Sequence, residues 1–184
     1  MVKLVAPNLE KLVVKDREVV YHHVLGMIER SGAKVKHLEL NHAYRNDLEN
    51  IERLITSTFP SLRNLVIDLG CNPSVYRSKS NGILEFLMEK IRPGELGFAC
   101  LENLQLLVMC RSNPRYNNYN EELLLGLLQG TDAFHRPGLR VELHVYGERS
   151  DEYERLGSVL MSSGCAVEEK GRTKGGELLR IFHT

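Results

Sequence analysis

One pattern recurs along this chain and constrains its fold more than any other feature. It is LxxLxL, present as LEKLVV at 9–14, VKHLEL at 35–40, LRNLVI at 62–67 and LENLQL at 101–106. A degenerate copy, VELHV, follows at 141–145. Taken from the fourth position of each copy, Leu12 to Leu38 is 26 residues, Leu38 to Leu65 is 27, Leu65 to Leu104 is 39 and Leu104 to Val141 is 37. A unit this short cannot bury its own apolar face. Repetition solves the problem, because stacked neighbours bury one continuous core.

The spacers read as helices. In REVVYHHVLGMIERSG, Val20, Val24 and Ile28 recur four apart on one face, and Gly32 ends the helix. In the second spacer Asn46 and Asp47 precede Leu48 and Glu49 as a helix start, and Leu48, Ile51 and Ile55 form one stripe. NGILEFLMEKIRPG, NEELLLGLLQG and the segment Asp151 to Ser163 supply three more. Each repeat is therefore expected to run strand, rim loop, helix.

The strands alternate apolar and polar residues, as in KHLEL, RNLVIDL and RVELHV. A doubly wound sheet, covered on both faces, usually carries continuous apolar strands instead. Alternation predicts one sheet face packed under helices and one open to solvent. The expected fold is α/β: a leucine-rich-repeat solenoid of about five irregular strand-loop-helix repeats near 7–32, 33–59, 60–99, 100–137 and 138–164. A closed α/β sandwich is the alternative. Residues 165–184 depart from the repeats: Cys165 to Lys170, GRTKGG and Glu177 to Phe182 read as strand, turn and returning strand, a hairpin cap closing the sheet edge. All 184 residues then form a single domain.

These LxxLxL copies, with helical spacers and uneven repeat lengths, resemble the ribonuclease-inhibitor-like leucine-rich repeats, in particular the irregular repeat region of F-box leucine-rich-repeat proteins. The resemblance covers most of residues 5 to 165. It implies a protein-recognition surface that selects substrates for a cullin-RING ubiquitin ligase. In that family a separate F-box segment binds the ligase adaptor; no such segment is visible here, so adaptor binding is expected only through an absent upstream segment. The alternative readings are a scaffold or adaptor unrelated to ubiquitination and a small α/β enzyme.

Composition narrows the partners. Lys and Arg number 24, as do Asp and Glu, so no global field draws the chain to nucleic acid or an anionic membrane. No apolar run reaches membrane-spanning length, the N-terminal MVKLVAPNLEKLV meets an acidic residue too early for a signal peptide, and no Asn-x-Ser/Thr acceptor occurs. An intracellular protein, cytoplasmic or nuclear, is expected. Cys71, Cys100, Cys110 and Cys165 lack CxxC spacing, so neither a metal site nor a redox pair is expected, and Cys71 and Cys110 suit buried thiols at repeat turns. GRTKGGE lacks the order of a phosphate loop.

Two surfaces are candidates for binding. Parallel strands send all their exit loops to one rim, where NHAYRND, CNPSVYR, CRSNPRYNNY and YGERSD carry Tyr44, Arg45, Tyr76, Arg77, Arg115, Tyr116, Tyr119, Tyr146 and Arg149. Tyr and Arg are enriched in interface hot spots, and the two longest spacers are lengthened on this rim. Against that, Asn, Pro and Ser form ordinary turns, and a loop Tyr often packs its ring over a strand end. The second surface is the open, concave sheet face. Its columns are expected to be Lys11, His37, Asn64, Asn103, Arg140; then Val13, Glu39, Val66, Gln105, Glu142; then Lys15, Asn41, Asp68, Leu107, His144. Interspersed charges suit a protein partner or ubiquitination substrate better than a polyanion. His22, His23, His37 and His144 show no spacing that specifies a triad or metal site, so neither catalytic residues nor a cofactor are expected.

The first repeat is expected to lack a capping element. Self-association of the isolated chain through that repeat is the expected result, read as concentration-dependent light scattering; a strictly monomeric, cooperatively melting chain would mean that residues 1–8 suffice as a cap.

Overall fold

A computed structural model describes residues 5–15, 21–41, 48–69, 77–91, 99–110, 122–127, 139–147, 151–162, 165–173 and 176–183. Strands and helices alternate as the repeat spacing requires: β1 Lys11–Val14, α1 Tyr21–Ser31, β2 His37–Leu40, α2 Leu48–Thr58, β3 Asn64–Asp68, α3 Arg77–Ile91 and β4 Asn103–Cys110. A short helix α4 (122–127) precedes β5 Arg140–Gly147 and α5 Asp151–Ser162. The strands β6 Cys165–Thr173 and β7 Gly176–His183 end the fold.

The sheet has the order β1-β2-β3-β4-β5-β7-β6. β1 to β5 are parallel and strictly sequential, so the chain is α/β with a five-strand parallel sheet. Register follows the motif: Leu12 pairs with Leu38, Leu38 with Leu65, Leu65 with Leu104 and Leu104 with Val141. Motif residues thus stack in rows, and Leu38, Leu40, Leu62, Leu65, Ile67, Leu104 and Leu143 are all buried. Each such side chain contributes about 1.5–3 kcal/mol by leaving water.

A repeated backbone device fixes that register. The Glu10 carbonyl accepts from Lys36 N and His37 N at 2.8 and 3.0 Å, and the Lys36 carbonyl from Arg63 N and Asn64 N, both at 2.9 Å. The Arg63 carbonyl does the same for Glu102 N and Asn103 N at 2.8 and 2.9 Å. One carbonyl per repeat therefore uses both lone pairs on the next repeat, which satisfies the strand-entry amides where ladder pairing begins. Outside it, Lys36–Glu10 and Arg63–Glu102 ion pairs follow the same spacing.

Helix boundaries have local causes. Gly32 adopts φ 57°, the left-handed conformation that ends a helix without a Cβ penalty. Ser31 Oγ donates to the Met27 carbonyl at 2.6 Å and accepts from Ala6 N at 2.8 Å, tying the segment before β1 to the end of α1. At the end of α2, Ser57 Oγ and Thr58 Oγ1 donate to the Leu54 and Ile55 carbonyls, and Ile55 is one of the last four carbonyls, which lack an i+4 amide within the helix. The α2 stripe is Ile51, Leu54, Ile55 and Thr58, and in α1 Leu25 joins Ile28 as the buried pair while Val24 packs only partly. Phe59 stacks on Phe86 of α3, their ring centroids 6.3 Å apart.

Three features differ from expectation. β4 extends to Cys110, which lies in the strand rather than at the turn after it, because the apolar run LLVM continues to pair with β5. α3 starts at Arg77, ahead of the NGILEFLMEK segment. The C-terminal hairpin forms, but β7 is the strand that joins β5 and β6 lies outside it, so the edge is displaced onto β6 rather than closed. Its strands also extend into GRTKGG, with a register irregularity between Glu169 and Arg172. Cys71 lies outside the described residues.

Leu65→Ala and Leu104→Ala each remove a fully buried row member. Each is expected to cost about 2–5 kcal/mol of stability in urea titrations, from lost burial plus the residual cavity. Near-neutral results would contradict the register given above.

Candidate functional site

The side chains that alternate with the buried rows form the other face of the sheet. The pairing puts Lys11, His37, Asn64, Asn103 and Arg140 in one column and Val13, Glu39, Val66, Gln105 and Glu142 in the next, as the alternation predicts. Asp68, Leu107 and His144 continue the third. Exposure varies over this face: Lys11, Lys15 and Arg140 are exposed and His37, Asn64, Asn103, Gln105 and His144 half-buried, whereas Asp68 on β3 is buried and Glu142 on β5 is only 3% exposed.

Glu142 is the hub of the β5 side. Its Oε1 accepts from Arg140 Nε at 2.8 Å, and its Oε2 from Gln105 Nε2 at 3.1 Å and His144 Nε2 at 3.0 Å. A buried carboxylate is tolerated only when paired and hydrogen-bonded, and here two residues of its own strand and one of β4 meet that requirement. Facing a carboxylate oxygen, His144 Nε2 is the donor of this bond. Toward β1 the polar side chains are held more loosely. Asn103 Nδ2 donates to Asn64 Oδ1 at 2.8 Å, and Asn41 Nδ2 to Glu39 Oε1 at 3.1 Å.

His37 stands apart. Its Nε2 is buried without a hydrogen-bond partner, and Glu39 Oε2, at 3.9 Å, is too distant to serve as one. Burial, then the neighbouring Lys11 ammonium, lowers its pKa below the usual histidine value, with Glu39 opposing. The imidazole is therefore neutral at pH 7.

The helix side carries a groove of about 740 Å³ between α1, α2 and α3. Its apolar lining is Leu25, Leu48 and Phe86, and Glu29, Glu52, Glu85 and Glu89 outnumber Arg53 and Lys90 on its walls. Burial, and next the Glu89 carboxylate, raises the pKa of Glu52, with Lys90 opposing and Glu49 adding to the rise. Gly82 lets α2 and α3 approach, since a Cβ there would lie 2.6 Å from Leu48 Cδ2. His22 and His23 form an edge-to-face pair on α1, centroids 4.2 Å apart, and are exposed. Among the described residues no three His, Cys, Asp or Glu side chains are grouped to hold a metal ion, and no helix is long and apolar enough to cross a membrane. Cys100 is an exposed free thiol whose Sγ contacts the Pro60 carbonyl at 3.5 Å.

Of the rim residues, Tyr44, Arg45, Tyr76, Arg115, Tyr116, Tyr119 and Arg149 lie outside the described residues. The other two do not sit in loops. Arg77 opens α3, and Tyr146 belongs to β5, opposite Met109 and Leu178 in the register, because β5 keeps its pairing on both sides through Gly147. The Glu142 hub escaped the sequence reading, although Arg140, Glu142 and His144 are two apart in RVELH and so share a face.

No protein-family model matches this chain, and comparison with curated proteins and with solved structures returns no match.

His37 gives this face a pH signature. The unfolded chain takes up a proton near pH 6.5 and the folded chain only at lower pH, so stability is unaffected above that range and falls as pH drops through it. Urea midpoints measured between pH 7.5 and roughly pH 5 are expected to decline less in His37→Asn than in the parent chain. Parallel declines would assign the acid sensitivity to other groups.

Proposed function

We propose that this chain is a leucine-rich-repeat solenoid of the ribonuclease-inhibitor-like class and acts as a protein-recognition module, the substrate-binding region of an F-box-type subunit of a cullin-RING ubiquitin ligase. The observation that carries the reading is the sheet itself. Five sequential parallel strands bury the motif residues on one side and turn two in-register columns of mixed side chains, with a third on β3 to β5, to the other.

Sequential parallel order, given the general right-handedness of such crossovers, puts the helices on one face, which suits a solenoid and leaves the opposite face for binding. The face also has the chemistry of a protein-binding surface: both charge signs interspersed, side-chain amides, and Val13, Val66 and Leu107 between them. The family resemblance of the LxxLxL copies supplies the link to ubiquitin ligases. Adaptor binding would reside in a separate F-box segment, with the repeats selecting the substrate.

Affinity capture from cells with the tagged full-length protein tests both parts. A ligase adaptor and at least one substrate are the expected co-purifying proteins, and recovery of neither would overturn the ligase assignment. Replacing Tyr76, Arg77, Arg115, Tyr116 and Tyr119 together by Ala is expected to weaken substrate capture while moving the thermal midpoint little, as surface truncations do. A large fall in melting temperature would make these residues structural.

A further inference from the structure

The Asn64–Asn103 bond leaves half of each amide unused. Asn103 Nδ2 donates to Asn64 Oδ1, so Asn64 retains its Nδ2 donors and Asn103 its Oδ1 acceptor, neither with a partner among the described residues. Neither atom is sealed away, since the buried partnerless side-chain atoms are His37 Nε2 and Asn81 Oδ1. The two residues are directly paired in the β3–β4 register. A donor and an acceptor therefore face outward about one strand spacing apart, ~4.8 Å. Every non-proline residue of an extended chain offers one carbonyl and one N–H on its main chain. Gln105 adds a further acceptor on the same face, because its Nε2 is committed to Glu142 while its Oε1 has no partner among the described residues.

Charge distinguishes the two ends of this surface. On the β5 side Arg140 is held by Glu142, whose other oxygen binds Gln105 and His144, so the carboxylate and guanidinium satisfy one another. Glu39 is engaged by Asn41. On the β1 side Lys11 and Lys15 are exposed and have no ion-pair partner among the described residues. The nearby Lys36 is already paired with Glu10. Unpaired lysines on this face are thus confined to β1, beside the Glu39 carboxylate, whose charge the neutral Asn41 amide does not cancel. On the β5 side the exposed Arg140 is engaged by the buried Glu142, while on the β1 side Lys11 and Lys15 are exposed and unpaired.

We propose that the open sheet face binds an extended acidic peptide laid across β1 to β4, its main chain bonded by Asn64, Asn103 and Gln105 and its carboxylates over Lys11 and Lys15. The proposal rests on the reading of this face as a recognition surface and names the class of segment it takes. Spacing adds a constraint. Lys11 and Asn64 lie two strands apart, roughly 9–10 Å, and an extended chain advances about 3.4 Å per residue. The acidic residue therefore sits about three positions from the amide-bound unit. Val13 and Val66, in the adjoining column, provide apolar contact for intervening side chains.

Fluorescence anisotropy with two labelled pools of short random-sequence peptides tests this, one pool with a fixed Asp-Glu end and the other with a fixed Lys-Lys end. The acidic pool is expected to bind, with affinity falling as salt rises. Lys11→Glu with Lys15→Glu, and separately Asn64→Ala with Asn103→Ala, are each expected to weaken binding about tenfold or more. Circular dichroism melts confirm that both variants fold, and a conservative Lys11→Arg with Lys15→Arg variant is expected to retain binding. Equal binding of the Lys-Lys pool, no binding of either pool by the folded protein, or acidic binding that survives both double variants would overturn the proposal. Failure here is separable from failure of the wider reading. A substrate captured from cells whose recovery survives Lys11→Glu with Lys15→Glu but is lost in the rim variant overturns the acidic-peptide assignment and leaves the recognition role standing.

Discussion

Lateral stacking of one apolar row on the next is the interaction on which everything else in this chain depends. Leu38, Leu65 and Leu104 are each fully buried only because the neighbouring strand brings its own equivalent alongside. No single repeat has enough apolar surface to offset the entropy of ordering its backbone. The two-amide carbonyl contacts at Glu10, Lys36 and Arg63 hold the rows in step, since a slip by one residue would turn every leucine to solvent and every polar column inward. Core and open face are thus two results of one register.

That coupling explains the character of the open face. Its residues are placed by the geometry of the rows behind them and are free to vary in chemistry as long as they alternate. The Asn64–Asn103 bond and the Glu142 hub occupy adjoining columns and differ in what they do. One leaves donors and acceptors outward; the other consumes them within the protein. His37 lies between these cases, a ring with a buried, partnerless nitrogen whose burial and neighbouring lysine lower its pKa.

The strands, their register and their buried positions were legible in the sequence because a period-two pattern inside a repeated motif leaves little freedom. Leu65 and Leu104 could be assigned to the core, and Asn64 and Gln105 to the face, from alternation alone. Strand ends were less legible. LLVMC and HVYG carry on as strand beyond the motif because β5 gains a second partner in β7, a contact from far along the chain that local pattern does not encode. The burial of Glu142 was hidden for the same reason: RVELH shows which residues share a face and nothing of how deeply they sit. Tyr146 moved from loop to strand with that extension, and Arg77 from loop to helix start, while the remaining Tyr-Arg positions are outside the described residues.

The reversal of direction at β7 bears on how such an array changes length in evolution or by design. A parallel neighbour is recruited through a helical crossover and presents the next repeat with the same surface it received. β7 instead runs antiparallel to β5 and carries β6 beyond it, so the surface offered there no longer matches a strand-loop-helix unit. Duplication of a unit between β1 and β5 conserves every interface, because each new boundary copies an old one. Grafting a unit beyond β5 requires the hairpin to be displaced first. A change in repeat number therefore meets an obstacle at the β5 end that it does not meet between β1 and β5, and such a change sets the length of the polar columns.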